Sequence, residues 1–337
     1  MKGNSTFTEF NKRLVRQPWL LKICSLFAMF LISHSKAAQG DEHLEDHDGT
    51  RGYWLRTTSV EAFIALEPWF RVLSVRRPGQ VSLLADSSFS EQGIRLAYME
   101  PDQVPSSFDA GNQPARSLKR TTNSARLQLA ATGGLRYTVQ VRLEADHARL
   151  RLDYQLENIG EITRRIACWS VLSFGAQGNI VVPFAKKSRS RRRLVLPWWA
   201  AWPQPGAHFG RDALAVDISK EALGDAYKIG VITDCGWIAF IRGGEVIVSS
   251  ARFARDASYP EDGANVSLFK SGAANNGRSE TEQMSRLQEV SQGRAALFSE
   301  TLDLFPIEFP LPAGADEVRH LVEMRLQINP PPAGLQP

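Results

Sequence analysis

Two adjoining clusters hold the side chains with most chemistry to offer. The run Lys186-Lys187-Ser188-Arg189-Ser190-Arg191-Arg192-Arg193 places six cations in eight residues. It leads into Pro197-Trp198-Trp199-Ala200-Ala201-Trp202-Pro203, and then into a Gly- and Pro-rich stretch that holds His208. Three of the eight tryptophans fall between two prolines there, where a loop is expected. An indole has a flat apolar face and a single N–H, which suits it to stack on a pyranose ring. Guanidinium groups such as that of Arg192 supply forked donors for hydroxyls or carboxylates. Trp198, Trp199, Trp202 and Arg192 are therefore candidate sugar contacts. An equally simple arrangement has the indoles closing one end of a β-sandwich while the cations stay solvated. Stacking plus charge also fits single-stranded nucleic acid, but that partner does not fit the export signal described below.

Other chemistries lack their signatures. No Walker or dinucleotide-binding glycine pattern follows a strand, and neither a zinc-binding HExxH nor a Cys/His ligand series is present. No G-x-S-x-G elbow occurs. No cofactor and no metal are expected. His43 and His47 lie four apart in an acidic, polar stretch that would not hold them in place. Glu261 and Asp262 could offer carboxylates to a cation, but Pro260-Glu261-Asp262-Gly263 reads more simply as a turn.

The elements that must position any site are strands. Leu135, Tyr137, Val139, Val141 and Leu143 alternate with Arg136, Thr138, Gln140, Arg142 and Glu144. After Ala145-Asp146-His147 the alternation restarts with Ala148, Leu150, Leu152, Tyr154 and Leu156. A period of two, sustained twice, predicts a long antiparallel hairpin with one buried face and one wet face. Further strand-like runs follow one another from Tyr53, ending with HLVEMRLQI from His320. Gly243-Gly244 between two apolar runs marks a two-residue hairpin turn. Helical pattern is scarce, with Ser219–Ala226 as the one short candidate.

The chain has 337 residues and a formal net charge of +4. Lys2, Lys12, Arg13, Arg16 and Lys22 precede an apolar run from Ile23 to Ile32, and Ser35-Lys36-Ala37 follows it. That is the layout of a secretory signal peptide, and the run is short of the roughly 20 residues a membrane span needs. Retention as an uncleaved anchor is the alternative to cleavage after Ala37. The leader holds six of the 40 basic and one of the 36 acidic side chains, so the remainder carries 34 and 35 and is nearly neutral. The high pI is then no argument for nucleic acid. The expected organisation is a signal peptide over 1–37, a solvated tether over 38–50, one β-sandwich domain over 51–329 and a Pro-rich tail over 330–337. The product would be periplasmic or secreted, without stable membrane insertion once the leader is cleaved. Cys168 and Cys235 could pair in that compartment, or stand as two buried thiols.

The order of segments resembles galactose mutarotase-like sandwich domains. The similarity rests on Glu157-Asn158-Ile159-Gly160, Ala167-Cys168-Trp169-Ser170-Val171, Val182-Pro183, Tyr227-Lys228-Ile229-Gly230, Gly236-Trp237-Ile238-Ala239 and Gly263-Ala264-Asn265-Val266. Glu280-Thr281-Glu282-Gln283-Met284-Ser285 is similar to that superfamily's late strand with two glutamates, and Glu300-Thr301-Leu302-Asp303-Leu304 to its closing strand. The match is better to a bacterial branch of the fold than to the aldose 1-epimerases. It implies an all-β, antiparallel β-supersandwich whose concave face holds a sugar. Mutarotases use a glutamate as base on the anomeric hydroxyl and a histidine as acid on the ring oxygen, each tuned toward neutrality. Glu282 falls at the glutamate position, though a plain surface-strand glutamate would read the same way. The strand bearing Trp169 has no histidine. His147 sits in the hairpin turn and His320 in a structural strand, which leaves His208 as the candidate acid. Gly93-Ile94-Arg95-Leu96-Ala97-Tyr98-Met99-Glu100-Pro101 resembles the branch's Gly-x-Arg run, which would bring Arg95 or Glu100 near the site.

Three functions follow from this reading. The first is an exported protein that binds a neutral or acidic carbohydrate. The second is an epimerase or polysaccharide lyase acting on acidic sugars, with the basic run neutralising a uronate. The third is an envelope domain whose basic loop meets an anionic surface.

Overall fold

The expected long hairpin is present in the computed structural model, which describes residues 44–47, 49–84, 93–101, 110–175, 177–184, 206–219, 226–233, 235–254, 257–271, 278–307 and 310–328. Its arms are β8 (Leu135–Glu144) and β9 (Arg149–Asn158), joined by residues 145–148. Val139 lies opposite Tyr154 and Val141 opposite Leu152, so the apolar members of both alternations fall on one face. All are buried. Fully burying one such aliphatic side chain contributes about 1.5–3 kcal/mol, which is why register follows the pattern.

The hairpin belongs to one of two sheets. The first runs β1 (Glu45–His47), β2 (Thr50–Arg56), β3 (Glu61–Glu67), β4 (Arg71–Arg76), β5 (Ile94–Met99), β10 (Arg164–Phe174), β18 (Ser279–Met284), β17 (Val266–Lys270), β14 (Tyr227–Val231), with β19 (Gln288–Val290) paired to β10. The second runs β12 (Ala207–Phe209), β13 (Ala213–Asp217), β11 (Asn179–Pro183), β15 (Trp237–Arg242), β16 (Glu245–Ala251), β20 (Ala295–Pro306), β9, β8, β7 (Ser124–Leu129), β6 (Ala115–Arg120). All pairings are antiparallel, and the expected all-β sandwich is the observed class. Side chains of both sheets meet in one core, including Leu55, Leu96, Leu152, Leu172 and Phe240. Gly243 and Gly244 take φ of +59° and +81° and close β15 onto β16. Both turn positions need positive φ, which glycine adopts without steric cost.

Two elements differ from the sequence reading. Glu45–His47, placed in the tether, forms an edge strand paired with Thr50–Gly52. The His47 ring packs within 4.7 Å of Phe63 and 5.7 Å of Trp54, so it is held in place after all. The segment with His320, read as a strand, is instead a helix, α1 (Ala315–Ile328). Val318 and Val322 sit one helical turn apart and are buried with Ala315 against Val181, Ala215 and Ile241 of the second sheet. Even-numbered apolar residues from Val322 to Ile328 imitate a strand, and the packing partner decides for the helix. Asp316 accepts the backbone N–H groups of Arg211 and Asp212 at 2.7 and 2.8 Å, tying the helix start to the β12–β13 turn. Cys168 and Cys235 are both free thiols. The leader, the tail and residues 220–225 of the turn expected over Ser219–Ala226 lie outside the described residues. No described helix is long and apolar enough to cross a membrane.

Candidate functional site

The face of the first sheet turned away from the common core carries a cluster of charged side chains. Its placement follows from register. Arg95 on β5, Val171 on β10, Glu282 on β18 and Ser267 on β17 stand opposite one another across four strands. With strands about 4.8 Å apart, Arg95 and Glu282 are separated by about 10 Å. Trp169, Ala97 and Met284 form the next row, and Ser173 and Glu280 the row on the other side. Their neighbours in sequence, such as Leu96, Cys168, Leu172 and Leu268, point into the core. Strand alternation therefore gives one residue in two to this face.

Glu282 is almost fully enclosed, with 3% of its side chain exposed. Its Oε2 lies 2.8 Å from Nζ of Lys228 on β14, and the same ammonium lies 2.5 Å from Glu261 Oε1. Ser267 donates to the second oxygen of Glu261 at 2.7 Å. The Lys228 ammonium also stands 5.0 Å from the centroid of the Trp169 ring, within reach of a cation–π attraction. Beside this group, Arg95 donates to Glu280 at 2.6 Å, and Arg278 reaches the same Glu280 oxygen at 3.1 Å. Ser173 adds a third donor at 3.3 Å. Three carboxylates thus meet three cations, and mutual pairing offsets the large cost of removing charges from water.

The balance leaves Glu282 perturbed. Burial pushes its carboxyl up, Lys228 pulls it back, and Glu261 and Glu280 push it up again, to about 7. Burial works against the Lys228 ammonium, but the Glu282 and Glu261 carboxylates outweigh it and raise its pKa. Lys228 therefore stays protonated at neutral pH and acts there as a hydrogen-bond donor, not a proton donor. Among the described residues no group of three or more His, Cys, Asp or Glu is placed to hold a metal ion. Glu261 and Glu282, the carboxylates that could ligate one, share the ammonium instead.

The site residues expected from sequence separate into groups. Glu282 and Arg95 share the cross-strand row. Glu100, just past β5, takes its hydrogen bond from Arg164 at 2.7 Å, and that guanidinium lies over the Tyr98 ring. His208 is exposed on β12, the edge strand of the second sheet, while Glu282 is interior to the first. Trp198, Trp199, Trp202 and Arg192 lie outside the described residues. Lys228 and Ser267 were missed as site members, and Glu261 was weighed only as a cation ligand within a turn. Lys228 did leave a signal: it is the one charged residue in Tyr227-Lys228-Ile229-Gly230-Val231, whose other members suit a buried strand. Glu261 left only its place in Pro260-Glu261-Asp262-Gly263, because a turn glutamate with φ +51° is indistinguishable in sequence from any surface turn.

Comparison with known proteins rests on shape. No family model matches the chain, and no curated protein matches it. Among solved structures, a putative aldose 1-epimerase from Escherichia coli K12 superposes with a TM-score of 0.53 at 13% identity, over 76% of this chain and 99% of that one. A putative mutarotase from Salmonella typhimurium gives 0.52 at 12% identity, over 85% and 99%. A galactose mutarotase-like protein from Lactobacillus casei gives 0.52 at 9% identity, over 75% and 100%. The fold is galactose mutarotase-like.

Proposed function

We propose that this chain, with its galactose mutarotase-like fold, is an exported carbohydrate-binding protein whose sugar site is the Glu282 face of the first sheet. One observation carries the reading: Glu282, Glu261, Lys228 and the Trp169 indole are gathered on one sheet face, held in place by neighbouring strands. Carboxylates and an ammonium are the groups that read sugar hydroxyls, and an indole is the group that packs on the ring. The solved structures of this fold named above, a putative aldose 1-epimerase, a putative mutarotase and a galactose mutarotase-like protein, agree with a sugar ligand. Export is supported by the basic, apolar and small-residue pattern of residues 1–37.

Binding is favoured over turnover because Glu282 is poised near neutrality but no described histidine stands beside it as the second group of an acid–base pair. Of the described histidines, His47 lies on the far edge strand of the first sheet, and His208, His147 and His320 belong to the second sheet's edge, the hairpin turn and the helix. Lys228 holds its proton too firmly for that role. A second reading, an epimerase or lyase, draws on the raised Glu282, whose carboxyl near neutrality suits a general base.

Thermal-shift titration against galactose, glucose, galacturonate and glucuronate separates these readings. A ligand at 100 times its Kd stabilises the native state by about 2.7 kcal/mol. Stabilisation by a sugar, lost in Glu282→Gln, is expected, with no mutarotation seen by polarimetry. Turnover that Glu282→Gln abolishes would move the assignment to the enzyme. A flat response to all four sugars from a folded protein would sink the sugar site.

A further inference from the structure

The second sheet has a separate recess on the face turned away from the sandwich core. It encloses about 670 Å³, within the range of small-ligand sites. Its floor follows from the hairpin alternation: Thr138, Gln140, Asp153, Gln155 and Ser299 take turns with the buried Tyr137, Val139, Leu152, Tyr154 and Phe298. Register lines up Arg126, Gln140, Asp153 and Ser299 across β7, β8, β9 and β20, a row about 14 Å long. One wall is the segment after β16, where Phe253 and Tyr259 meet edge to face at 6.1 Å. The Tyr259 hydroxyl bonds to both the N–H and the carbonyl of Ala254, which fixes the aromatic pair in place.

The charges in this recess do not cancel. Asp153 is engaged by Arg151 at 3.0 Å and Ser299 at 2.6 Å. Among the described residues, Arg126 and Arg286, exposed at the rim, give no hydrogen bond or ion pair from their guanidinium groups. Gln155, exposed on the floor, is likewise uncommitted. We infer that this groove binds an acidic oligosaccharide, as a second glycan site distinct from the Glu282 face. Forked guanidinium donors match uronate carboxylates, the Phe253–Tyr259 wall and Leu297 offer apolar surface to sugar rings, and the amides of Gln140 and Gln155 suit hydroxyls. An extended polar row calls for an extended ligand rather than a monosaccharide.

The test is calorimetric titration of the full chain with tetragalacturonate, beside maltotetraose and tripolyphosphate. Tetragalacturonate should bind, maltotetraose more weakly, and Arg126→Gln/Arg286→Gln should lose at least tenfold in affinity with an unchanged melting temperature. Glu282→Gln should leave this binding intact, so the groove and the first-sheet site stand or fall separately. The inference is overturned by no binding of tetragalacturonate, by undiminished binding in the double arginine variant, or by loss of binding in Glu282→Gln alone. Tripolyphosphate binding as tightly would also overturn it, since charge alone would then account for the affinity.

Discussion

Glu282 and Glu300 are buried carboxyls handled in opposite ways. Glu300 lies in the core and accepts the hydroxyls of Tyr154, Ser170 at 2.6 Å and Ser249 at 3.2 Å. Burial raises its pKa, and the three hydroxyls only partly restrain that. Its bonds join β20 to β10 and so bridge the sheets, a structural task. Glu282 is instead balanced among charges on the outer face. A carboxyl raised in the folded state contributes stability that is full below its ordinary value of 4.5 and lost as pH rises through about 7. Between pH 5 and 8 the parent should therefore lose stability by a component that Glu282→Gln removes, on the order of 2–3 kcal/mol. Denaturant melts of both proteins at pH 5, 6, 7 and 8 measure it, and parallel slopes would mean that Glu282 ionises as an ordinary surface carboxyl. Glu282 was legible because a glutamate in strand alternation with Glu280 and Met284 must share their face. Its partners were not, since Lys228 and Glu261 arrive from distant parts of the chain through strand order alone.

Among the elements, the β8–β9 hairpin and the helix α1 mark two extremes of legibility. The hairpin is specified twice over, by alternation and by the polar turn between its arms. The helix carries a capping signal, with Glu317 reaching back to the N–H of Gly314 at 3.1 Å, and a buried stripe through Val318 and Val322. Its second half also alternates, and period-two and period-3.6 patterns cannot be told apart over so few residues. The second sheet resolves the ambiguity by offering an apolar outer face under β11 and β13 that a helix stripe covers. Asp316 is the clasp of that arrangement. Asp316→Ala should cost about 1.5–3 kcal/mol, the scale of hydrogen bonds to a charged group, measured by urea unfolding. Asp316→Asn should recover part of it, and a loss below 0.5 kcal/mol, roughly the noise of a surface change, would show that the β12–β13 turn needs no clasp.

Across the whole molecule, the two sheets close over a core that excludes water from Cys168. Burial pushes its thiol up to about 12, with Ser285 and Tyr137 pulling it only partly back. The Tyr137 hydroxyl meanwhile donates to the carbonyl of Ala97, another bridge between sheets. Thiolate is the reactive form, so Cys168 should resist iodoacetamide in the native protein while the half-buried Cys235 reacts, and both should react in denaturant. Peptide mass mapping reads this directly, and rapid native labelling of Cys168 would mean that the sandwich opens. The sequence by itself determined the long β8–β9 hairpin, the inward and outward faces of its arms, and the all-β class, because each depends on spacing within a segment and on the free energy of burying alternate side chains. Tertiary structure alone decided that Lys228 and Glu261 meet Glu282, that His208 falls on the other sheet, and that Arg126 lines up with Ser299 across four strands. Those outcomes depend on which strands become neighbours, and neighbour order is set by the closure of the whole core rather than by any local pattern.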